Sequence, residues 1–308
     1  MLRLALLSIT LSGCVVGLGG ESDADRSTSG PSPGEHLQPG KAAFVLAHGF
    51  GGDGESFDPA IVAAIEAEGH LVLRAEVPGL DSVAVRAAAL GTQIDQLLVS
   101  SGATQVHVIA HSMGGLDARH AISKLGYAPK VASLTTISTP HRGTPLADLA
   151  LGLTSNAAVS QQDALDAIVE LLGGGIDLEA LNLALRDLSE ANAATFNAAT
   201  PDAAGVRYLS YAGFSTPNAI ENPNAAAACA AAPADPDEMR PALLLAAPIV
   251  ARGLEREPND GVVSVASATW TGFSGCISAD HLDETAAPAE GGLDTAAFYR
   301  ALVAKLAP

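Results

Sequence analysis

Ser112 sits in the stretch Val106 to Leu116, VHVIAHSMGGL. A serine hydroxyl is a poor nucleophile at neutral pH. It needs a base within hydrogen-bond reach, and the base needs a carboxylate to orient it. The residues around Ser112 are of the kind that present such a nucleophile. Val106, Val108 and Ile109 alternate like a buried strand, and LDARHAISKL reads as a helix. A strand, a sharp turn carrying the serine and then a helix lift the hydroxyl clear of the sheet. Strand and helix backbones nearly touch at such a turn, so the positions two before and two after the serine must be small. Ala110 and Gly114 fill them. An incidental serine at a strand-to-helix turn would have the same local pattern, so the other parts must decide.

Eight histidines are present, and only His281, in SADHLDET, lies beyond residue 141. In one arrangement of such parts the chain order is Ser, acid, His, which makes His281 the base. His107 reads as a strand residue. His36, His70 and His120 read as surface positions, and His111 is expected to point away from the nucleophile. The acid must lie between Ser112 and His281 at a strand end. Asn259-Asp260-Gly261 is a tight-turn signal beside a β-branched run. Asp280 and Asp283 stand too near His281 in sequence to be easy partners, so Asp260 is the candidate acid.

The reaction also needs two backbone N–H groups aimed at the developing oxyanion. Met113, directly after the nucleophile at a helix N-terminus, supplies one. The other is expected from the loop His48-Gly49-Phe50-Gly51-Gly52 after the first core strand, with Phe50 as donor. A phosphate-binding loop is the competing reading, but no Gly-Lys-Ser/Thr follows.

Elements that could position these residues alternate along the first half of the chain. Strands are expected over 42–47, 70–77, 104–110 and 131–138, and helices over 57–68, 82–100 and 113–125. That alternation predicts an α/β fold with a doubly wound, mostly parallel sheet. From 144 to 201 the strand signal stops. Residues 161–172 and 177–190 read as helices joined by Gly173-Gly174-Gly175, with an apolar stripe that suits either a packed insert or a mobile cap over an apolar site. A strand returns over 206–212, an Ala-rich loop covers 222–233, a short strand is expected from Val262, and 294–306 closes the chain as a helix.

The composition of the 308 residues bounds the function. Hydrophobic residues make up 48%, enough for one large α/β core. The formal net charge of −18 argues against nucleic acid, which favours a basic footprint. Met1-Leu2-Arg3, an apolar run and then LSGC resemble a bacterial lipoprotein signal. Residues 1–13 would be removed and Cys14 acylated, holding the protein at a membrane surface, at the outer membrane or cell surface. Residues 14–40, rich in Gly, Ser, Pro and acids, read as a flexible tether, and 41–308 as the folded domain. With Cys14 acylated, Cys229 and Cys276 remain, and an exported protein with an even pair is expected to bridge them.

Together these parts give the chain a resemblance to the bacterial true lipases of the α/β-hydrolase superfamily, in particular the foldase-dependent group of pseudomonads and Burkholderia. It is carried by LAHGFGG, HVIAHSMGG, ISTPHRGTPLADL, LRDLSEANAATFNAATP, GVRYLSYAG, NDGVVS and DHLDE, over most of 42–305. The resemblance implies triacylglycerol hydrolysis by Ser112, Asp260 and His281, with Phe50 and Met113 as oxyanion donors. It implies a lid over about 146–195, no organic cofactor, and a lipase-specific foldase as partner. It also implies one structural Ca²⁺, with carboxylate ligands matching Asp283 and Asp235, or Asp237 in place of the latter. Hard oxygen ligands suit that ion. The chain departs from the family in Ala110 for the usual Gly, in its Cys pair and in its lipoprotein signal. A short-chain carboxylesterase, a polyester depolymerase or an acyltransferase would use the same parts. A binding lipoprotein on an inactive hydrolase scaffold would typically have lost the Ser or the His.

Overall fold

The computed structural model describes residues 37–155, 159–171, 177–217, 222–229, 237–286 and 293–307. Cys14, Asp235 and the Gly173–Gly175 hinge fall outside them. In chain order the elements are β1 (Ala43–Ala47), α1 (Pro59–Glu66), β2 (Leu71–Arg74), α2 (Val83–Ser101), β3 (Val106–His111), α3 (Gly114–Lys124) and β4 (Val131–Ile137). Then come four helices, α4 (Pro145–Ala150), α5 (Gln161–Leu171), α6 (Leu178–Leu188) and α7 (Glu190–Ala199). The remainder is β5 (Arg207–Thr216), α8 (Ala225–Cys229), β6 (Asp237–Glu238), α9 (Ala247–Val250), α10 (Val265–Ala268), β7 (Phe273–Ser278) and α11 (Thr295–Leu306).

The sheet runs β2-β1-β3-β4-β5 with every pairing parallel, and β6 and β7 both pair with β5 along different stretches of it. A parallel sheet must be covered on both faces, and the strands divide their side chains by the two-residue period. Val45, Val106 and Val108 face Leu90 and Ile94 of α2 and Ile122 of α3. Phe44, Leu46 and Ile109 face Ile61 and Ile65 of α1 and Tyr299 and Val303 of α11. All five residues of β1 are buried, which explains its unbroken apolar run. α2 is bounded by signals legible in the sequence: the Ser82 hydroxyl accepts from the Val85 N–H, and Gly102 leaves the helix at φ 71°.

Several expectations need correction. Packing begins before residue 41, inside the expected tether: Leu37 packs on the core, and its N–H donates to the Ser101 carbonyl. No strand follows the Asn259-Asp260-Gly261 turn. The Asp260 carboxylate takes the Val262 and Val263 N–H groups at 2.9 and 2.7 Å, so those amides cannot join a ladder, and the chain enters α10 instead. The expected helix 177–190 ends at Leu188. Ser189 is extended (ψ 146°), and its hydroxyl accepts from Asn192 N–H to start α7. His70 is buried, packed edge-on against Phe44 with ring centroids 5.1 Å apart.

Cys229 and Cys276 form a disulfide that joins α8 to β7 and spans 47 residues of sequence. The loop it closes contains β6 and Asp260. Loop-closure entropy assigns such a bridge roughly 4 kcal/mol. Replacing both cysteines by alanine is expected to lower the unfolding free energy by about 2–4 kcal/mol in urea melts, with a steeper slope against denaturant because the unlinked unfolded chain exposes more surface.

Candidate active site

Ser112 follows β3 directly, with φ 53°, a left-handed conformation that costs a non-glycine residue energy and persists only where its surroundings enforce it. The surroundings are tight. A side-chain carbon at Gly114 would lie 2.5 Å from the Ala47 carbonyl and 2.6 Å from that of His48. One at Gly49 would lie 2.6 Å from Ser112 Cβ. Only glycine lets the loop after β1, the serine and the first turn of α3 meet.

His281 lies just after β7, and its Nε2 is 3.0 Å from Ser112 Oγ. Its Nδ1 is 2.8 Å from Asp260 Oδ2. Residues 169 apart in sequence thus form a continuous hydrogen-bonded chain. Each member is fixed from behind. Asp260 is fully buried, and its second oxygen accepts the two amides of its own turn. His281 N–H donates to the Asp260 carbonyl at 2.9 Å. Asp280 Oδ1 accepts the Leu282 and Asp283 amides at 2.9 and 3.0 Å, bending the chain around the imidazole.

Met113 is the N-cap of α3 and is fully buried; Phe50 lines the same cavity as Ser112. Among the described residues neither amide N–H meets an acceptor. Both are therefore available to a ligand oxygen. The cavity has a volume of about 280 Å³ and is walled on the cap side by Leu146, Ile168, Leu185 and Leu188. α4, α5 and α6 share one apolar cluster with Met113 and Leu116, so the helical insertion roofs the site.

Two neighbours of the relay were not anticipated. His111 does not point away: its ring lies 4.6 Å from that of His281 and lines the cavity. Burial, then the nearby His281, push its pKa well below the usual imidazole value. Glu284 is fully enclosed, with Oε2 3.0 Å from His111 Nε2 and Oε1 accepting from the Ser138 hydroxyl. Burial, and next the charge of Asp260, raise its pKa well above the carboxylate range. A third acid in DHLDE is the available signal; nothing local reveals that it turns inward.

Behind the His281 loop, Asp237, Asp280 and Asp283 bring carboxylate oxygens within 4.8 Å of one another. Asp283 is an expected ligand and Asp237 the alternative to Asp235, which lies outside the described residues; Asp280 joins them unexpectedly. Burial, followed by the charges of Asp283 and Asp280, pushes Asp237 up to about 7. Its Oδ1 is buried without a hydrogen-bond partner, while Oδ2 accepts the Asp280 N–H at 2.9 Å. Arg240 forms an ion pair with Asp283 and offsets part of the charge. Three hard oxygen donors, one of them orphaned, fit a Ca²⁺ ion.

Residues 42–169 match the family described as the alpha/beta hydrolase fold. The chain is 31% identical over 249 residues to a triacylglycerol lipase of Vibrio cholerae, covering 73% of this chain and 72% of that protein. It is 29% identical over 225 residues to triacylglycerol lipase 2 of Saccharomyces cerevisiae, covering 71% of this chain and 59% of the yeast protein's length. The mature Bacillus licheniformis lipase BlEst2 superposes with a TM-score of 0.64 at 18% identity, over 90% of this chain and 96% of that one, a likeness of fold. With the sheet order, the strained serine and the roofed cavity, these relationships leave one assignment: the chain belongs to the bacterial lipase family of the α/β-hydrolase superfamily.

Proposed function

We propose that the protein is a serine ester hydrolase acting on acylglycerols, held at a membrane surface by its acylated N-terminus. The observation that carries the activity is the Ser112–His281–Asp260 relay opening into an apolar, roofed cavity. Ser112 Oγ attacks the ester carbonyl while His281 Nε2 takes its proton. Asp260, beside Nδ1, stabilises the imidazolium. The amides of Phe50 and Met113 take the oxyanion. His281 then gives its proton to the leaving alcohol, and water, activated by the same imidazole, releases the acid from Ser112. No organic cofactor enters this sequence.

The acylglycerol assignment rests on the cap. Its inner face offers leucines and isoleucine to an acyl chain. Leu178 at the start of α6 is 74% exposed, and Val169 and Leu183 are also exposed, an outer surface suited to lipid. A cap of this kind favours long acyl chains over short soluble esters. Nitrophenyl esters of rising chain length and an emulsified triglyceride discriminate directly. Long-chain and emulsion activity that vanishes in Ser112→Ala, with the fold retained by circular dichroism, is the expected result. A maximum at acetate or butyrate with no response to emulsion would make the protein a carboxylesterase.

A Ca²⁺ ion held by Asp237, Asp280 and Asp283 would supply charge neutralisation behind the His281 loop and would not touch substrate. Excess Ca²⁺ is expected to raise the melting temperature relative to EDTA, and Asp283→Asn to remove most of that difference. Equal melting temperatures with and without EDTA would eliminate the ion.

The anchor rests on Leu11-Ser12-Gly13-Cys14 after a positive start and an apolar run. Among the described residues no helix is long and apolar enough to cross a membrane. Cys14→Ser in the full chain is expected to move the protein from the membrane fraction to the soluble fraction and to abolish labelling by a fatty acid. Membrane retention without label would refute the anchor.

A further inference from the structure

The four lysines of the chain are Lys41, Lys124, Lys130 and Lys305, and all of them lie at one end of the domain. In a parallel sheet the strands start at the same end, and the helices between them must run back to it. Lys41 precedes β1, Lys130 directly precedes β4, and Lys124 is the last residue of α3. Lys305 is the penultimate residue of α11, and its carbonyl accepts from the guanidinium of Arg207, the first residue of β5. Lys41, Lys124, Arg207 and Lys305 are exposed, and Lys130 is partly so. Neighbouring strands stand about 4.8 Å apart, and β3 and β4 lie between β1 and β5. Lys41, Lys130 and Arg207 therefore follow one another across about 14 Å of the sheet's amino-terminal end.

Few acids oppose these bases. Asp95 pairs with Lys130 at 2.6 Å. Glu68 lies 3.8 Å from Arg300, a further exposed base. Asp202 accepts from Trp270 Nε1 at 3.0 Å. Among the described residues the remaining acid of this end is Glu66, the last residue of α1. Two apolar side chains stand out beside the bases: Val99, in the last turn of α2, is 85% exposed, and Leu125, the C-cap of α3, is 42% exposed.

The other end has the opposite sign. The cavity lies at the carboxyl ends of the strands, and the cap over it exposes Asp163, Asp166, Asp177 and Glu179 against Arg186. A chain of net charge −18 thus keeps its lysines on the face turned away from its active site. Strands of this length separate the two ends by about 20 Å, more than two screening lengths at physiological salt. A surface at one end therefore feels little of the charge at the other.

The point where the chain joins the domain says what covers the basic face. Leu37 N–H donates to the carbonyl of Ser101, the last residue of α2, so the segment that leads back to Cys14 joins at this end. An anchor on Cys14 brings a membrane to the same face. Anionic headgroups complement lysine and arginine, and apolar side chains set among bases enter the headgroup layer.

We propose that the amino-terminal end of the sheet is a docking surface for the anionic phospholipid headgroups of the membrane that carries the anchor, with Lys41, Lys124, Lys130 and Arg207 as its contacts. The active-site mouth then faces away from that membrane, toward neutral lipid presented from outside it. This rests on the reading of the chain as an anchored ester hydrolase.

The test places the full chain, acylated at Cys14, on vesicles of phosphatidylcholine alone or mixed with phosphatidylglycerol. Acetylation of lysines by an N-hydroxysuccinimide ester, read by mass spectrometry, reports cover of the basic face. Carbodiimide coupling reports cover of the cap acids. We expect Lys41 and Lys124 to react about 10-fold more slowly on the anionic vesicles, since each base near such a surface contributes roughly fivefold in affinity. The protection should vanish at about 0.5 M salt, where the screening length is about 4 Å. Asp163, Asp166 and Glu179 should react equally on both vesicles. In Lys41→Gln/Lys124→Gln/Arg207→Gln, hydrolysis of soluble nitrophenyl butyrate should be unchanged, while cleavage of diacylglycerol in the protein's own anionic vesicle rises by about fivefold or more. Equal lysine reactivity on the two vesicles would overturn the docking surface and leave anchor and hydrolase in place. So would protection of the cap acids on anionic vesicles, or stronger lysine protection by soluble polyphosphate than by those vesicles. Sedimentation with anionic vesicles alone would keep the surface and overturn the anchor; sedimentation with neither would overturn both. Protected lysines in a chain that cleaves no ester would keep the surface and overturn the hydrolase reading.

Discussion

The whole site depends on the chain leaving β3 at a single residue. A serine within a buried parallel strand points into packed side chains and can meet neither base nor substrate. At φ 53° the backbone of Ser112 reverses at once, and the hydroxyl stands at the strand's carboxyl end while the next residue, Met113, caps α3. That strain is tolerated because β1 packs alongside with no room for a side chain at Gly49 or Gly114. The same close approach brings the β1 loop, and with it the Phe50 amide, beside the nucleophile. Nucleophile and oxyanion donors are therefore one construction: the turn that exposes the hydroxyl also frees the Met113 N–H.

The other half of the relay solves a different problem. Asp260 and His281 lie on loops, and a loop positions a side chain only if its own polar groups are satisfied. Here carboxylates do that work. Asp260 binds the amides of its own turn with one oxygen and His281 with the other. Asp280 binds the amides that follow His281, and Asp237 binds the Asp280 amide. The disulfide ties β7, which leads into His281, back to α8. Burying acids together in this way removes them from water and loads the loop with like charge, and both raise the Asp237 pKa above that of an ordinary aspartate.

The first half of the fold was legible because its signals are local. Period-two strands, helix caps such as Ser82 and Gly102, and the small residues around Ser112 each declare themselves within a few positions. The order of serine, acid and base was legible too, since only one histidine follows residue 141. What stayed hidden depends on long-range partners. Val262 and Val263 carry a strand composition, yet a side chain two or three residues earlier takes their amides. β7 is short and interrupted by Gly275, and gains its identity only by pairing with β5. Arg86 reads as one polar residue in an amphipathic helix, yet it is fully buried and donates to carbonyls up to 38 residues away.

Three acids are buried close to the reacting groups, and their environments separate their roles. Asp260 accepts hydrogen bonds from two amides and faces the Nδ1 of an imidazole. Among the described residues Glu284 has a serine hydroxyl and an imidazole nitrogen near it but no amide, and burial, then the charge of Asp260, raise its pKa well above the carboxylate range. Asp117 faces a guanidinium that is itself committed to four carbonyls. The shift at Glu284 disfavours a second negative charge beside the imidazole that must become imidazolium. A second ionised carboxylate beside His281 would hold that proton too firmly for delivery to the leaving alcohol. A Glu284 whose burial resists ionisation lets the cavity hold a carboxyl without altering that balance, and its contact with Ser138 secures the end of β4 to the His281 loop.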